Sequence, residues 1–218
     1  MKKFIIAIDQ GTTSSRVVLF DTKGNTKFIS QYEFKQYFPR NGWVEHNPNE
    51  IWSTTLKALK QVIKKAKSLK GHILTIGITN QRETTILWNK KTGKPIYNAI
   101  VWQDRRTQEY CKSLKNKNYE NTFRKKTGLF IDPYFSATKI KWILDNVKVS
   151  KKLLKTNNLL FGTVDTFLIW KLTKGKDHLT EATNASRTML FNINNNKWDN
   201  EILQKLKIPM SILPEVKN

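Results

Sequence analysis

Apolar residues near the amino terminus fall into three short runs that are typical of β-strands. The runs cover residues 4–9, 15–21 and 26–34. The link at residues 21–25 has the composition of a tight turn. We therefore predict three antiparallel strands that follow one another as a meander.

A longer amphipathic segment follows and predicts a helix. Asn47 is expected to be its N-cap, Pro48 stands in the first turn, and the helix should continue to about residue 67. Its apolar face recurs with helical periodicity and comprises Ile51, Trp52, Leu56, Leu59, Val62 and Ile63. The apolar run at residues 73–79 then predicts a buried strand.

The rest of the chain predicts short strands mixed with helices. Strands are expected at 84–88, 99–102 and 159–162, and helices at 105–115, 136–146, 166–172 and 200–206. Three antiparallel strands, a helix and a further strand follow the order of a ribonuclease H-like or actin-like ATPase domain. We therefore expect an α/β fold with a mixed sheet flanked by helices. Since no internal repeat or flexible linker is visible, we expect one domain with insertions over residues 1–218.

Composition narrows the class of protein. With 39% hydrophobic and 11% aromatic residues, the chain is not of the disordered class. No apolar run approaches the roughly 20 residues of a membrane span, and the first run is too short for a signal peptide. The single Cys111 cannot form an intrachain disulfide, which suits a reducing cytoplasm.

The formal net charge of +22 raises the question of nucleic-acid binding. Only seven of the 39 basic residues are arginine, the side chain that makes bidentate base and phosphate contacts. The lysines are spread over predicted helices and turns, and Asn and Ile are abundant too. A/T-rich codons explain this bias, so no specific nucleic-acid partner is expected.

Residues 9–16, Asp-Gln-Gly-Thr-Thr-Ser-Ser-Arg, carry the first candidate chemistry and are called here the phosphate loop. Gly11 permits a tight turn, and the hydroxyls of Thr12, Thr13 and Ser14 with nearby amides can surround phosphate oxygens. Asp9 suits a Mg²⁺ ion held through water, and Arg16 can neutralise phosphate charge. The alternative is an ordinary hairpin turn.

Residues 77–83, Gly-Ile-Thr-Asn-Gln-Arg-Glu, form the second candidate functional motif. Arg82 and Glu83 follow a predicted strand, and ligands of open α/β sheets bind at carboxyl ends of strands. Two opposite charges can hold a polyhydroxylated molecule by charge-assisted hydrogen bonds. The alternative is a surface ion pair between them.

Two aromatic residues complete the candidates. Trp102 ends a predicted strand, where its indole can pack against a polyol's carbons. Tyr134 offers a hydroxyl in the loop before a helix, whereas Phe135 is expected to be a buried anchor. Asp104 is expected to be the N-cap of the helix after it.

Three further residues are given structural roles. His46 lacks a metal-spaced partner, Cys111 lies in a predicted helix without a nearby base, and Asp165 resembles a helix cap. No arrangement of nucleophile, histidine and carboxylate is visible.

Taken together, six motifs resemble those of the glycerol kinases, which belong with xylulokinase and other sugar kinases to one carbohydrate kinase family. They are DQGTTSSR (9–16), GWVEH (42–46), GITNQRETT (77–85), NAIVWQDRR (98–106), TGLFIDPYFS (127–136) and NASRTMLF (184–191). The resemblance covers essentially the whole chain.

The resemblance implies ATP-dependent phosphorylation of glycerol to glycerol 3-phosphate. By the family's pattern glycerol is bound by Arg82, Glu83, Tyr134 and Trp102, the last packing against its carbons. The same pattern places the nucleotide phosphates against Thr12, Thr13, Ser14 and Arg16, and Mg²⁺ at Asp9. It also implies a cytoplasmic enzyme and a homodimer or homotetramer at full length.

The family has two lobes, and the resemblance makes this chain the N-terminal one. The general base is expected beyond Asn218, so no catalytic base is assigned here and little turnover is expected from these residues alone. The alternatives are a non-catalytic remnant that binds a polyol or nucleotide, another sugar kinase of the family, and a nucleic-acid binder.

Overall fold

A computed structural model describes residues 2–217, which form two compact units. The first unit contains residues 2–36 and His46–Gln81. The second unit contains Tyr37–Glu45 and residues 82–217. None of the helices in this described range is both long and apolar enough to cross a membrane.

The first unit begins with the predicted meander. The strands are β1 (Lys2–Gln10), β2 (Ser14–Asp21) and β3 (Thr26–Glu33). β2 pairs antiparallel with β1 on one side and with β3 on the other. The turn between β2 and β3 is closed by Asp21, whose Oδ1 accepts from the Lys23 and Asn25 amides at 2.9 Å each. The meander prediction is therefore confirmed.

Two short strands, β4 (Gln36–Tyr37) and β5 (Glu45–His46), precede helix α1 (Pro48–Ser68). Asn47 caps α1, since its Oδ1 accepts from the Asn49 amide at 2.9 Å, and Pro48 occupies the first turn as predicted. Ile51, Leu59 and Val62 are buried on the face that packs against the sheet.

Strand β6 (Gly71–Asn80) pairs parallel with β1 and gives a mixed sheet in the order β3-β2-β1-β6. The predicted α/β class is confirmed, because the meander is followed by helix α1 and strand β6, with the short β4 and β5 before the helix. The expectation that this strand is buried is wrong, because Leu74 is 47% and Ile76 41% exposed. Within the described residues β6 forms the sheet edge, and α1 packs mainly over β2 and β3.

The second unit is richer in helices. Its strands are β7 (Ile86–Asn89), β8 (Ala99–Ile100), β9 (Leu159–Gly162), β10 (Leu179–Glu181), β11 (Phe191–Asn192), β12 (Lys197–Trp198) and β13 (Glu215–Lys217). Its helices are α2 (Gln108–Asn116), α3 (Glu120–Thr127), α4 (Ser136–Asn146), α5 (Lys148–Lys155), α6 (Val164–Leu172), α7 (Ala182–Ala185) and α8 (Asn200–Leu206). Short 3₁₀ turns cover Ser186–Thr188 and Met210–Ile212.

Short pairings join the strands of this unit. β7 pairs antiparallel with β9, β11 antiparallel with β12, and β10 parallel with β13. The helices predicted at 136–146 and 200–206 are found with those bounds. The core of the unit is built from side chains of many elements, among them Phe123, Ile140, Phe161, Leu190 and Ile202.

Candidate active site

The phosphate loop joins β1 and β2 in the first unit. The turn is closed by the Gly11 amide, which donates to the Ser14 carbonyl at 2.9 Å. Thr13 is exposed at the tip of this turn. Ser14 Oγ accepts from Gln31 Nε2 at 2.9 Å, which orients that hydroxyl. Ser15, in contrast, is buried, and its hydroxyl is bonded to Thr54.

Asp9 and Arg16 form an ion pair, with Arg16 Nε donating to Asp9 Oδ2 at 3.1 Å. Within residues 2–217 no group of three His, Cys, Asp or Glu side chains is arranged to hold a metal ion. Asp9 is a single carboxylate, the kind of ligand that Mg²⁺ takes together with water and phosphate oxygens. Its side chain is partly exposed, so water can reach it.

Glu83 lies in the second unit, in the turn after β6. Its backbone is in the left-handed region with φ +62°, and the Thr84 amide donates to the Arg82 carbonyl at 2.7 Å. The side chain is only 4% exposed. A buried carboxylate at a non-glycine residue with positive φ is an arrangement that the surrounding structure must hold in place.

The partner of Glu83 is Arg187, whose Nε donates to Glu83 Oε1 at 2.7 Å. The alternative considered above, an ion pair between Arg82 and Glu83, is not formed, since Arg82 is exposed and makes no ion pair within the described part of the chain. The left-handed turn separates the two neighbouring side chains. One is buried with a distant partner, and the other remains in solvent.

The carbonyl of Glu83 is held from α4. Ser136 Oγ donates to it at 3.0 Å, and Lys139 Nζ lies at 3.5 Å. The same Lys139 Nζ donates to the Tyr134 carbonyl at 2.6 Å, so one ammonium group contacts the backbone carbonyls of both Glu83 and Tyr134. Lys139 is fully buried, and burial lowers its pKa to about 7.

Trp102 and Tyr134 lie side by side, with ring centroids 5.5 Å apart and planes at 57°. The Arg187 guanidinium carbon is 5.7 Å from the Tyr134 ring centre. A cavity of about 600 Å³ is lined by Trp102 and Tyr134, but its lining does not include Glu83. Through Arg187 and Lys139 the structure brings Glu83 close to Tyr134 and Trp102, so three of the four residues predicted to bind a polyol lie near one another. Phe135 is buried, as expected of a loop anchor.

The loop that carries Trp102 is held by a buried ion network. Asp104 is not the predicted N-cap, because α2 starts at Gln108 with Thr107 before it. Its carboxylate instead accepts from Arg106 at 2.8 and 2.9 Å and from the Val44 amide at 2.7 Å. Asp104 thus accepts from two nitrogens of the Arg106 guanidinium and from a distant backbone amide, and not from the first amides of α2.

Residues 4–218 match the N-terminal domain of the FGGY family of carbohydrate kinases. The chain belongs to the FGGY family.

Individual relatives agree with this assignment. The chain is 56% identical to a glycerol kinase of Petrotoga mobilis over all of its length and 44% of the relative's. It is 57% identical to a glycerol kinase of Borrelia duttonii, covering 99% of the chain and 43% of the relative. The chain thus spans less than half the length of these curated relatives.

Solved structures agree as well. A crystal structure of Plasmodium falciparum glycerol kinase with ADP superposes with a TM-score of 0.93 at 39% identity, covering 99% of the chain and 43% of that protein. A gluconate kinase of Lactobacillus acidophilus gives 0.87 at 24% identity, covering 100% and 42%, which shows the shared fold. The actin-like ATPase fold expected from the element order is therefore that of the FGGY kinases.

Sequence reasoning missed two residues that contact the candidate site, Arg187 and Lys139. Arg187 lies in the motif at residues 184–191, so the sequence draws attention to this arginine. The motif does not show that Glu83 is its partner, because the two residues are 104 positions apart in the chain. Lys139 lies on the buried face of α4, where a lysine among apolar residues is the only signal.

Proposed function

We propose that this chain is the N-terminal lobe of a glycerol kinase, which transfers the terminal phosphoryl group of ATP to glycerol and forms glycerol 3-phosphate. The observation that carries the proposal is the buried Glu83–Arg187 pair next to the Trp102–Tyr134 aromatic pair. The names and identities of the relatives, at 54–57%, support the choice of glycerol.

In this proposal glycerol is held by charge and by shape. Glu83 Oε1 accepts from Arg187, and the second carboxylate oxygen accepts hydrogen bonds from the hydroxyl groups of the substrate. Arg82, exposed beside it, and Tyr134 supply donors. Trp102 lies against the carbon atoms, where an apolar ring excludes water from one side of the polyol.

The phosphate loop would hold the nucleotide. Thr12, Thr13 and Ser14 present hydroxyls and amides to the phosphates of ATP, Arg16 neutralises their charge, and Asp9 holds Mg²⁺. Bound Mg²⁺ screens the negative charge of the phosphoryl group during transfer. The contribution of these residues is positioning and charge neutralisation, which account for most of the catalysis in phosphoryl transfer.

No residue of this chain is proposed as general base. We propose that the base lies in the part of the relatives' length that this chain does not span, and that the full-length enzyme acts in the cytoplasm. Residues 1–218 alone are therefore expected to bind glycerol weakly and to turn over far below ordinary kinase rates.

The test is a titration of the 218-residue chain with glycerol, followed by NMR or calorimetry, together with an ATP- and glycerol-dependent turnover assay. Glu83→Gln should weaken glycerol binding by about tenfold or more, because it removes a charge-assisted acceptor. Glu33→Gln, an exposed carboxylate of β3, is the matched control. If the unchanged chain does not bind glycerol, the polyol site is refuted. If it binds a pentulose or gluconate more tightly than glycerol, glycerol is refuted as the substrate. If it turns over at ordinary kinase rates, the proposal that the general base lies outside residues 1–218 is refuted.

A further inference from the structure

A buried imidazole lies behind the phosphate loop, in the first unit. His46 is fully buried, and both of its ring nitrogens are engaged. Nε2 is 2.5 Å from Gln36 Oε1, and Nδ1 is 3.3 Å from Gln81 Nε2. Since an amide oxygen only accepts and an amide nitrogen only donates, the ring is neutral with its proton on Nε2.

Each glutamine continues from the imidazole to the loop. Gln36 Nε2 donates to the Thr12 carbonyl at 3.0 Å. Gln81 Nε2 donates to the Gly11 carbonyl at 3.1 Å, and its backbone amide donates to the Gln10 carbonyl at 2.7 Å. Carbonyls of consecutive loop residues are thereby held on the protein side.

The direction of a carbonyl fixes the direction of the next amide. In a trans peptide the C=O of one residue and the N–H of the next point in opposite directions. With the Gly11 and Thr12 carbonyls held inward, the N–H groups of Thr12 and Thr13 face outward, as an anion-binding loop requires.

Protonation of the ring would break this arrangement. A proton on Nδ1 would face Gln81 Nε2, which is itself a donor and also bonds to Gln10 Oε1 and to the Gly11 carbonyl, each at 3.1 Å, so protonation would place two donors against each other. Burial lowers the pKa of His46 to about 4, against an opposing contribution from the Glu50 carboxylate, so the neutral form holds at neutral pH.

We propose that His46 is a positioning residue for the phosphate loop: acting through Gln36 and Gln81, it aims the Thr12 and Thr13 amides at phosphate oxygens. The phosphate part of this inference rests on the proposed function of the loop. The positioning part concerns the ligand-free protein and is tested separately.

The decisive variant is His46→Phe. It keeps an aromatic ring against Phe34, whose ring centroid is 5.1 Å from that of His46, and removes both hydrogen bonds. His46→Gln restores one donor and one acceptor and is the rescue variant. Val62→Ala, a fully buried position of α1 in the same unit, is the control for lost core stability.

Three measurements follow on the 218-residue chain. Long-range ¹⁵N spectra of the wild type should show a neutral His46 ring protonated at Nε2. Backbone ¹⁵N order parameters of Thr12 and Thr13 should fall in His46→Phe, recover in His46→Gln and stay unchanged in Val62→Ala, because the two glutamines that hold the loop carbonyls lose their hydrogen bonds to the ring. NMR titration with ADP and with inorganic triphosphate should show a matching loss of affinity.

A cationic or Nδ1-protonated ring, or loop amides that respond alike in His46→Phe and Val62→Ala, would overturn the inference. If the wild type binds neither probe but the loop amides still respond to His46→Phe alone, the positioning role stands and the phosphate function of the loop fails. If the wild type binds and His46→Phe binds equally well, the positioning role fails and the proposed function stands.

Discussion

Replacing Arg106 by methionine should destabilise the second unit strongly. The guanidinium is fully buried and bonds to Asp104 and to Glu45 Oε1, the latter at 2.7 Å. Its carbon also lies 3.8 Å from the centre of the Trp43 ring. Methionine keeps the apolar stem of the side chain but leaves two buried carboxylates without their counter-ion.

The magnitude follows from the burial of those carboxylates. Removing one partner of a buried ion pair costs about 3–5 kcal/mol, because the remaining charge is neither hydrated nor paired. Glu45 keeps bonds from Tyr97 and Asn98, and Asp104 keeps the Val44 amide, which offsets part of the cost. We therefore expect a loss of about 4 kcal/mol, a large part of a typical unfolding free energy.

Urea unfolding followed by tryptophan fluorescence measures this loss. Arg124→Met, an exposed arginine beside Phe130, is the matched control and should change stability by less than about 0.5 kcal/mol. Adding Asp104→Asn and Glu45→Gln to Arg106→Met should recover stability, because the uncompensated charges are then gone. A loss below about 1 kcal/mol in Arg106→Met, or no recovery in the triple variant, would refute the reasoning.

Three further outcomes are expected. Burial holds the pKa of Lys139 at about 7 against an ordinary 10.5, so the unfolded chain binds more protons above pH 7. Wild-type stability should therefore rise relative to Lys139→Met by about 2–3 kcal/mol from pH 7 to pH 9 in urea unfolding, and parallel profiles would contradict it. The pKa of His46 is also lowered, to about 4 from an ordinary 6.5, so the unfolded chain binds more protons between these two pH values and the free energy of unfolding falls as the pH is lowered through them. In His46→Phe this acid-induced loss of unfolding free energy should be smaller than in the wild type by roughly 3 kcal/mol. Gly162→Ala should lower stability by about 1–3 kcal/mol in thermal unfolding, because a Cβ there lies 2.6 Å from Thr166 Cβ, whereas Gly77→Ala meets no atom within 4 Å and should not.

Local signals were sufficient for most of the secondary structure. The α1 helix was predictable because its cap, its first-turn proline and its apolar spacing all lie within one continuous segment. The meander was predictable for the same reason, since Asp21 closes its turn with amides only two and four residues away. Such interactions depend on neighbours along the chain, which the sequence displays directly.

Signals that depend on distant partners were not readable in this way. Asp104 was expected to cap the next helix, yet it accepts from Val44, 60 residues away. The β6 strand was expected to be buried because its residues are apolar, but burial depends on which elements cover a strand. Position in the sheet, not composition, set the exposure of Leu74 and Ile76.

The candidate site shows the same division. Motifs along the chain predict that Arg82, Glu83, Trp102 and Tyr134 bind a small polar ligand, and the same motifs indicate the family. The fold alone pairs Glu83 with Arg187 and leaves its neighbour Arg82 in solvent, because a left-handed turn sends adjacent side chains in different directions. A sequence can name the groups that carry chemistry, but the partner of a buried charge is chosen by packing between segments far apart in the chain.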